Sequence, residues 1–239
     1  MRGSQLHIGC CGWALPQRQY FATFPVLEVQ QTFYEPPRLV TLEKWRTASP
    51  PGFEFTLKAW QLITHEPFSP TYRRLKTPVP EAKRSNYGAF RPTDEVYAAW
   101  RATLACARAL NARIIVFQCP AAFGPTAQHT GNLRRFFLSA GKEADDLTFA
   151  WEPRGDWNDA QVKQVCEELG LVHVVDPFAR KTVTSGLRYY RLHGIGGYRY
   201  TYSDTELARL ATCCDGESYV MFNNFTMAQD ALRFAETCR

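Results

Sequence analysis

The chain has 239 residues, 45% of them hydrophobic, and a formal net charge of +5 at pH 7. No apolar run approaches the ~20 residues of a membrane span, and the first residues lack the apolar stretch of a secretory signal. We therefore expect a cytoplasmic protein without membrane association. The mildly basic balance fits an anionic partner, whether a small molecule or a nucleic acid.

Eight short apolar runs predict strands, and amphipathic stretches lie between most of them. The predicted strands span residues 6–11, 26–33, 53–59, 114–119, 147–152, 171–176, 189–193 and 219–224. Helices are predicted over 41–48, from Thr93 to 110, over 133–144, from Asn158 to Gly170, from Ser203 to about 214 and over 226–238. Asn158 with Gln161 and Ser203 with Glu206 are predicted capping boxes. Segments 14–24 and 177–186 are expected to be short and irregular.

This strand–helix alternation, repeated eight times, predicts an α/β fold: a TIM-like (β/α)8 barrel in which some helices are short or replaced by loops. The length is close to the ~250 residues typical of such barrels, so we expect a single domain over residues 1–239. Barrel chemistry lies at the C-terminal ends of the strands. The polar residues at those ends are therefore the candidates for a site.

The connection over residues 60–92 is unusually long and basic. It joins the third strand to its helix without clean periodicity and contains five prolines. It holds Arg73, Arg74, Lys76, Lys83 and Arg84 against Glu66 and Glu81. Loops beyond ~12–15 residues are usually functional or disordered. This insertion is either a solvated loop or a basic lid over an anionic ligand.

Glu152, Asp176 and His193, each at a predicted strand end, are candidates for acid–base chemistry or metal binding. Two carboxylates on neighbouring strands with a histidine nearby form a donor set that suits a divalent metal. Two structural alternatives stay open. Glu152 and Arg154 share one side of their strand and could form an ion pair, and Asp176 before Pro177 could cap a turn.

A second group of residues at strand ends and in loops would bind an anion. Arginine forks match phosphate geometry, and barrels commonly bind phosphate in the loops after strands seven and eight. The alternation of tyrosine and arginine from Tyr198 could stack on bases or sugars, or form a surface hairpin. The complete group is Lys58, Gln118, Arg154, Arg191, Tyr198, Arg199, Asn223 and Asn224.

The eight cysteines show no C-x-x-C spacing. A disulfide framework is not expected without a secretory signal. Cys10, Cys11 and Cys119 fall at predicted strand ends and are candidate reactive thiols. An iron–sulfur cluster is not expected, because such clusters usually need four thiolates and three at most lie near these ends.

Nine short segments follow one another in a characteristic order. They are HIGCCGW (7–13), EVQQTFY (28–34), FTLKA (55–59), LITH (62–65), FQCP (117–120), WEPR (151–154), VD (175–176), YRLHG (190–194) and FNN (222–224). The ordered set resembles the DUF72 (YecE-like) family, in particular its archaeal-type branch. The resemblance implies a TIM-like barrel and carries no settled activity. Bacterial relatives tend to have Thr-Ser where this chain has Cys10-Cys11, so any role of these thiols would be particular to this branch.

The first function that fits is a phosphoesterase or nuclease type of hydrolase. It would act on a phosphate-bearing substrate, nucleic acid included, with a divalent metal as an optional cofactor. Glu152 or Asp176 would activate water or hold the metal, and His193 would transfer a proton. Lys58, Arg154 and Arg191 would stabilise the charge that develops on phosphate.

Two other functions use the same strand ends. The first is non-catalytic binding of an anionic metabolite or nucleic acid, which needs donors but no acid–base pair. The second is a sugar isomerase or glycosidase, and glycosidases need two carboxylates ~5–9.5 Å apart. Glu28 and Glu152 could supply them, although Glu28 lies early in its strand.

Overall fold

The computed structural model describes residues 5–239, whose eight parallel strands form a closed barrel in sequence order. The strands are β1 (Leu6–Cys11), β2 (Val26–Val29), β3 (Glu54–Lys58), β4 (Ile114–Gln118), β5 (Thr148–Glu152), β6 (Val172–Val175), β7 (Arg188–Leu192) and β8 (Ser218–Phe222). The predicted (β/α)8 fold is confirmed.

Helices alternate with most of these strands. They are α1 (Gln17–Thr23), α2 (Gln31–Tyr34), α3 (Leu39–Ala48), α4 (Gln61–Thr64), α5 (Asp94–Leu110), α6 (Ala127–Glu143), α7 (Asp159–Leu169), α8 (Asp204–Ala211) and α9 (Met227–Thr237). The 60–92 insertion adds two short 3-10 helices, Pro70–Arg74 and Glu81–Asn86. None of the helices within residues 5–239 combines the length and the apolar composition that a membrane crossing requires.

Short sequence signals set several helix ends. The two predicted capping boxes are present, Asn158 with Gln161 before α7 and Ser203 with Glu206 before α8. Gly170 follows α7 with φ of +64°, a left-handed conformation that glycine adopts without a steric cost. Residues 176–187, after β6, contain no helix, as the sequence predicted.

The structure corrects the predicted second strand, 26–33. β2 ends at Val29, and Gln31–Tyr34 forms the helical turn α2. The hydroxyl of Thr32 donates to the backbone oxygen of Lys58 over 2.7 Å, which fixes this turn against the end of β3. The prediction missed the turn because nothing in the apolar run marks the distant acceptor.

The segment 14–24, expected to be irregular, contains the helix α1. Its anchor is Tyr20, which is fully buried. The Tyr20 hydroxyl accepts from the Cys10 backbone N–H over 2.8 Å and donates to the Val26 oxygen over 2.9 Å. One tertiary anchor thus holds a helix with weak periodicity. Helix α6 also begins earlier than predicted, because Thr126 caps it by accepting from the His129 N–H.

The described chain divides into two compact units. The first comprises the residues up to 29 together with 49–55 and 172–239, and the second comprises 30–48 and 56–171. The expected single domain over 1–239 stays a prediction. In the second unit, buried aromatic rings pack mostly edge to face, which is the geometry that aromatic pairs prefer. These rings include Phe90, Trp100, Phe117, Phe136 and Phe149.

Candidate functional site

Lys58 is a buried cation at the end of β3. Its Nζ lies 3.5 Å from the centroid of the Phe33 ring, a cation–π contact that partly offsets the loss of water around the ammonium. Phe33 belongs to α2, the turn that the sequence had predicted as strand. The position of this lysine therefore depends on that turn.

His65, which directly follows α4, lies against the same aromatic ring. Its imidazole is 5.0 Å from the Phe33 ring between centroids, and its Nδ1 is 2.7 Å from the Thr64 hydroxyl. Burial lowers the His65 pKa to about 3, and the positive charges of Lys58 and Arg154 lower it further. The imidazole is therefore neutral at pH 7 and lies close to two cations.

Glu152 and Arg154 form an ion pair after β5. Arg154 donates from Nε and Nη2 to the same Glu152 oxygen, Oε1, over 2.8 and 2.6 Å. The carboxylate is buried, whereas 37% of the Arg154 side chain is exposed. The ion pair, one of the structural alternatives that the sequence left open, is therefore present. Gln118, the register partner of Glu152, ends the neighbouring strand β4.

We call Lys58, His65 and Arg154, with the Glu152 partner of Arg154, the basic cluster. It combines two cations, one carboxylate and one neutral imidazole, and all four belong to the second unit. A partly buried excess of one positive charge favours an anion, since charge-assisted hydrogen bonds are strongest away from water. Sequence reasoning missed His65, although it lies in the LITH segment.

The candidate thiols are buried and protonated. Burial raises the pKa of Cys10 to about 12, and it raises the pKa of Cys11 and Cys119 well above the ordinary value. The Trp151 Nε1–H donates to the Cys119 sulfur over 3.2 Å. Reactive thiols are usually exposed thiolates in positive surroundings, so this geometry disfavours the predicted reactivity.

Arg191 differs from its predicted position, because it lies inside the barrel instead of at the end of β7. Its side chain is fully buried and donates to both carboxylate oxygens of Glu28, over 2.9 and 3.1 Å. The Tyr189 hydroxyl donates to the same carboxylate over 2.8 Å. β2 and β7 are not neighbouring strands, so the ion pair spans the interior. Both Arg191 and Glu28 are committed to this pair, and the anion-binding role predicted for Arg191 stays a prediction.

Asp176 caps the end of β6. One carboxylate oxygen accepts from the Phe178 N–H over 3.0 Å, and the other accepts from the His193 N–H over 2.9 Å. The His193 Nδ1 lies 3.0 Å from the Asn223 amide nitrogen, which fixes the ring. This arrangement fits the turn-cap alternative for Asp176 and leaves the catalytic role of His193 a prediction.

Within the described residues 5–239, no three His, Cys, Asp or Glu side chains are arranged to hold a metal ion. The predicted trio of Glu152, Asp176 and His193 is therefore not assembled as a metal centre. Their carboxylates are occupied instead by Arg154 and by backbone N–H groups.

The loops after β7 and β8 divide into a buried and an exposed part. Asn224 is fully buried and donates to Tyr200 and Asp230, which makes it a structural brace, while its predicted anion-binding role stays a prediction. Tyr198 and Arg199 are exposed, as a binding role would require. Tyr198 lies edge to face against Phe225, and 71% of Phe225 is exposed.

The cations of the insertion are partly neutralised by their neighbours. Arg91 pairs with Glu66 and Lys83 with Glu95, while the Arg74 guanidinium lies 3.4 Å from the Tyr34 ring. These contacts restrict the movement of the insertion. They fit an ordered part of the fold better than a freely moving basic lid.

Comparisons with known proteins identify a family and a fold. The model of the family described as "Protein of unknown function DUF72" matches residues 7–239. A DUF72 family protein from Enterococcus faecalis V583 is 18% identical, with a TM-score of 0.74 over 98% of this chain and 95% of that chain. One from Thermotoga maritima MSB8 is 20% identical, with a TM-score of 0.68 over 97% and 98%.

A more distant likeness is to a xylose isomerase domain containing protein from Salmonella typhimurium LT2. It is 13% identical, with a TM-score of 0.59 over 96% of this chain and 94% of that chain. A search of the curated proteins gives no match. At these identities, the structural likenesses establish the fold alone.

Proposed function

The chain belongs to the DUF72 family, and from that premise we propose that it binds a phosphate-bearing ligand at the basic cluster. The observation that carries the proposal is the convergence of Lys58 and His65 on the Phe33 ring, with Arg154 near enough to His65 to lower its pKa. Phosphate offers several oxygens, so a lysine, an arginine and an imidazole N–H can each donate to the same group.

The binding of a phosphate also explains why the imidazole is kept neutral. A protonated His65 would add a third cation to a buried site, and burial together with Lys58 and Arg154 prevents this at pH 7. The neutral ring still has one N–H to donate. The cluster therefore gains a donor without a further charge, which suits binding more directly than proton transfer.

Lys58→Gln tests the binding. We expect inorganic phosphate to bind ~10–100-fold more weakly in isothermal titration, because a hydrogen bond to a charged group contributes about 1.5–3 kcal/mol. Lys163→Gln is the matched control, since it removes an equal charge from the surface of α7, where 58% of the Lys163 side chain is exposed. Titrations at one fixed ionic strength keep screening constant. Equal affinities of Lys58→Gln and the control would contradict the proposal.

Hydrolysis of the bound phosphate ester is the second candidate. It is favoured by the position of Glu152, a carboxylate at a strand end that Arg154 holds in place within the cluster. We propose that this carboxylate takes the proton of the attacking water, and the proton-transfer role of His193 stays a separate proposal. A divalent metal remains an optional cofactor in this proposal, although the described residues assemble no metal centre.

The test of hydrolysis uses Glu152→Gln and His193→Ala with p-nitrophenyl phosphate and a single-stranded oligonucleotide. We expect Glu152→Gln to lose at least ~100-fold in kcat while still binding inorganic phosphate. If both variants keep every phosphoesterase and nuclease activity of the parent chain, the enzyme proposal fails and binding alone remains.

Three finer assignments also remain proposals. The chain would belong to the archaeal-type, YecE-like branch of the family, because Cys10-Cys11 stands where bacterial relatives tend to have Thr-Ser. It would act in the cytoplasm. Its ligand would be either an anionic metabolite or a nucleic acid. As a separate proposal, Tyr198 would stack on the bases of a nucleic acid and Arg199 would contact its backbone.

A further inference from the structure

A cavity of about 460 Å³ lies in the first unit, beside the segment that follows β6. In a (β/α)8 barrel a helix normally covers this position, but residues 176–187 contain none. The cavity is bounded by this extended segment, by β7 and by the end of α8 and the turn after it. Its lining comprises Pro177, Arg180, Lys181, Thr182, Arg188, Tyr190, Thr212, Cys213 and Asp215.

We propose that this cavity is a second anion site, which takes a small phosphomonoester such as a sugar phosphate. Its volume is in the range of small-molecule sites, ~300–1,000 Å³. Three cationic side chains and one carboxylate line it, so cationic groups outnumber acidic groups on the lining. This excess suits a phosphomonoester, which carries about −1.5 to −2 at pH 7. The site is independent of the basic cluster, which belongs to the second unit.

The wall of the cavity is preformed by hydrogen bonds among its own residues. Arg188 donates to both oxygens of Asp215 over 2.8 and 3.1 Å and to the Thr184 oxygen over 2.9 Å. The Tyr190 hydroxyl donates to the Cys213 backbone oxygen over 2.9 Å, which ties β7 to the end of α8. A wall held in this way loses little conformational entropy on binding.

Lys181 is the residue best placed to be the ligand's main charge partner. It is exposed, it lines the cavity, and no ion pair involves its ammonium among residues 5–239. Thr182 and Thr212 lie on the same lining. Their hydroxyls donate to the backbone oxygens of His173 and Arg209, so they would accept hydrogen bonds from the hydroxyls of a sugar. An ammonium beside two hydroxyls on a rigid wall favours a phosphorylated polyol over an apolar carboxylate.

The experiment follows backbone amide shifts of the full chain by NMR during titration with ribose 5-phosphate. We expect saturable shifts at Lys181, Thr182 and Cys213. Lys181→Gln should weaken this binding at least fivefold, whereas the surface control Lys163→Gln should leave it unchanged. Because Lys181 is exposed, its replacement should not disturb folding, and circular dichroism checks this.

Lys58→Gln separates the two sites. It should abolish shifts around His65 and leave those at the cavity in place if both sites exist. Shifts confined to the basic cluster, or cavity shifts of equal affinity in Lys181→Gln and the parent chain, would overturn the second site. Loss of the shifts at the basic cluster alone would leave the second site standing. Failure of the proposed function and failure of this inference therefore give different spectra.

Discussion

At the scale of single residues, the neutral histidine of the basic cluster makes stability depend on pH. The pKa of His65 is about 3 in the folded chain against an ordinary value of 6.5. Between these values the unfolded chain binds a proton that the folded chain does not, so the free energy of unfolding decreases as pH falls through this window. The slope approaches ~1.4 kcal/mol per pH unit below pH 6.5.

His65→Gln should remove this dependence. We expect the variant to lose about 2 kcal/mol less stability than the parent chain between pH 7 and pH 5, measured by urea unfolding at both values. His129→Gln, at a histidine of the same unit outside the basic cluster, is the control for the loss of an imidazole. Parallel losses in all three proteins would mean that His65 is protonated in the folded state.

The buried pair of Glu28 and Arg191 leads to a different prediction. Arg191→Met should lower the free energy of unfolding by about 3–5 kcal/mol, because it leaves the Glu28 carboxylate buried without its cation. The double variant Glu28→Gln with Arg191→Met should recover much of this loss in urea unfolding. A stable Arg191→Met variant that no longer binds phosphate would instead support the anion-binding role predicted from the sequence.

At the scale of the elements, Gly88 allows the insertion to pack closely against the turn that carries His65. Gly88 has φ of +77°, and a Cβ there would lie 2.2 Å from the His65 backbone oxygen. Its N–H donates to the Leu62 oxygen at α4 over 2.9 Å. Any side chain at this position must push the insertion away from the turn that carries His65.

Gly88→Ala and Gly52→Ala separate steric crowding from backbone strain. Gly52 has a similar φ of +80° with nothing near its Cβ, so Gly52→Ala should cost only the ~1–2 kcal/mol of a left-handed alanine. Gly88→Ala should cost clearly more in urea unfolding and should also weaken phosphate binding. Equal losses of unfolding free energy in the two variants would show that the insertion can move away from position 88 without further strain.

The elements also show what sequence patterns can and cannot predict. The eight strands were predictable because each apolar run ends at polar residues, and the capping boxes because their signals lie within four residues. Helix α1 was not predictable, because its segment has weak helical periodicity. It is held by Tyr20, whose hydroxyl forms hydrogen bonds to the backbone of two strands. The turn α2 depends in the same way on a carbonyl at the end of β3.

At the scale of the whole molecule, barrel closure depends on the last strand. β8 pairs with β1 on one side and β7 on the other. Removing residues 218–239 should leave two unpaired strand edges, so we expect aggregation and loss of the near-ultraviolet circular dichroism signal. Removing only residues 238–239, which follow α9, should preserve both a monodisperse elution profile and the signal. A folded 1–217 chain would contradict the importance of closure.

The candidate site was predictable only in part, because the sequence places residues at strand ends but not their partners. Arg191 was assigned to an anion, yet its partner Glu28 is 163 positions away along the chain. The strand ends of the second unit agree better with the prediction. Arg154 pairs with Glu152, and the charges of Lys58 and Arg154 both act on His65. The roles predicted for the remaining strand-end residues stay predictions.

The buried cysteines can report on local opening of the chain. Cys10 and Cys11 lie buried in β1, whereas Cys106, Cys119 and Cys166 are buried in the second unit. A buried thiol reacts with a small disulfide reagent only when its surroundings open. The labelling rates of these five thiols would therefore measure how often each unit opens under native conditions, without any introduced probe.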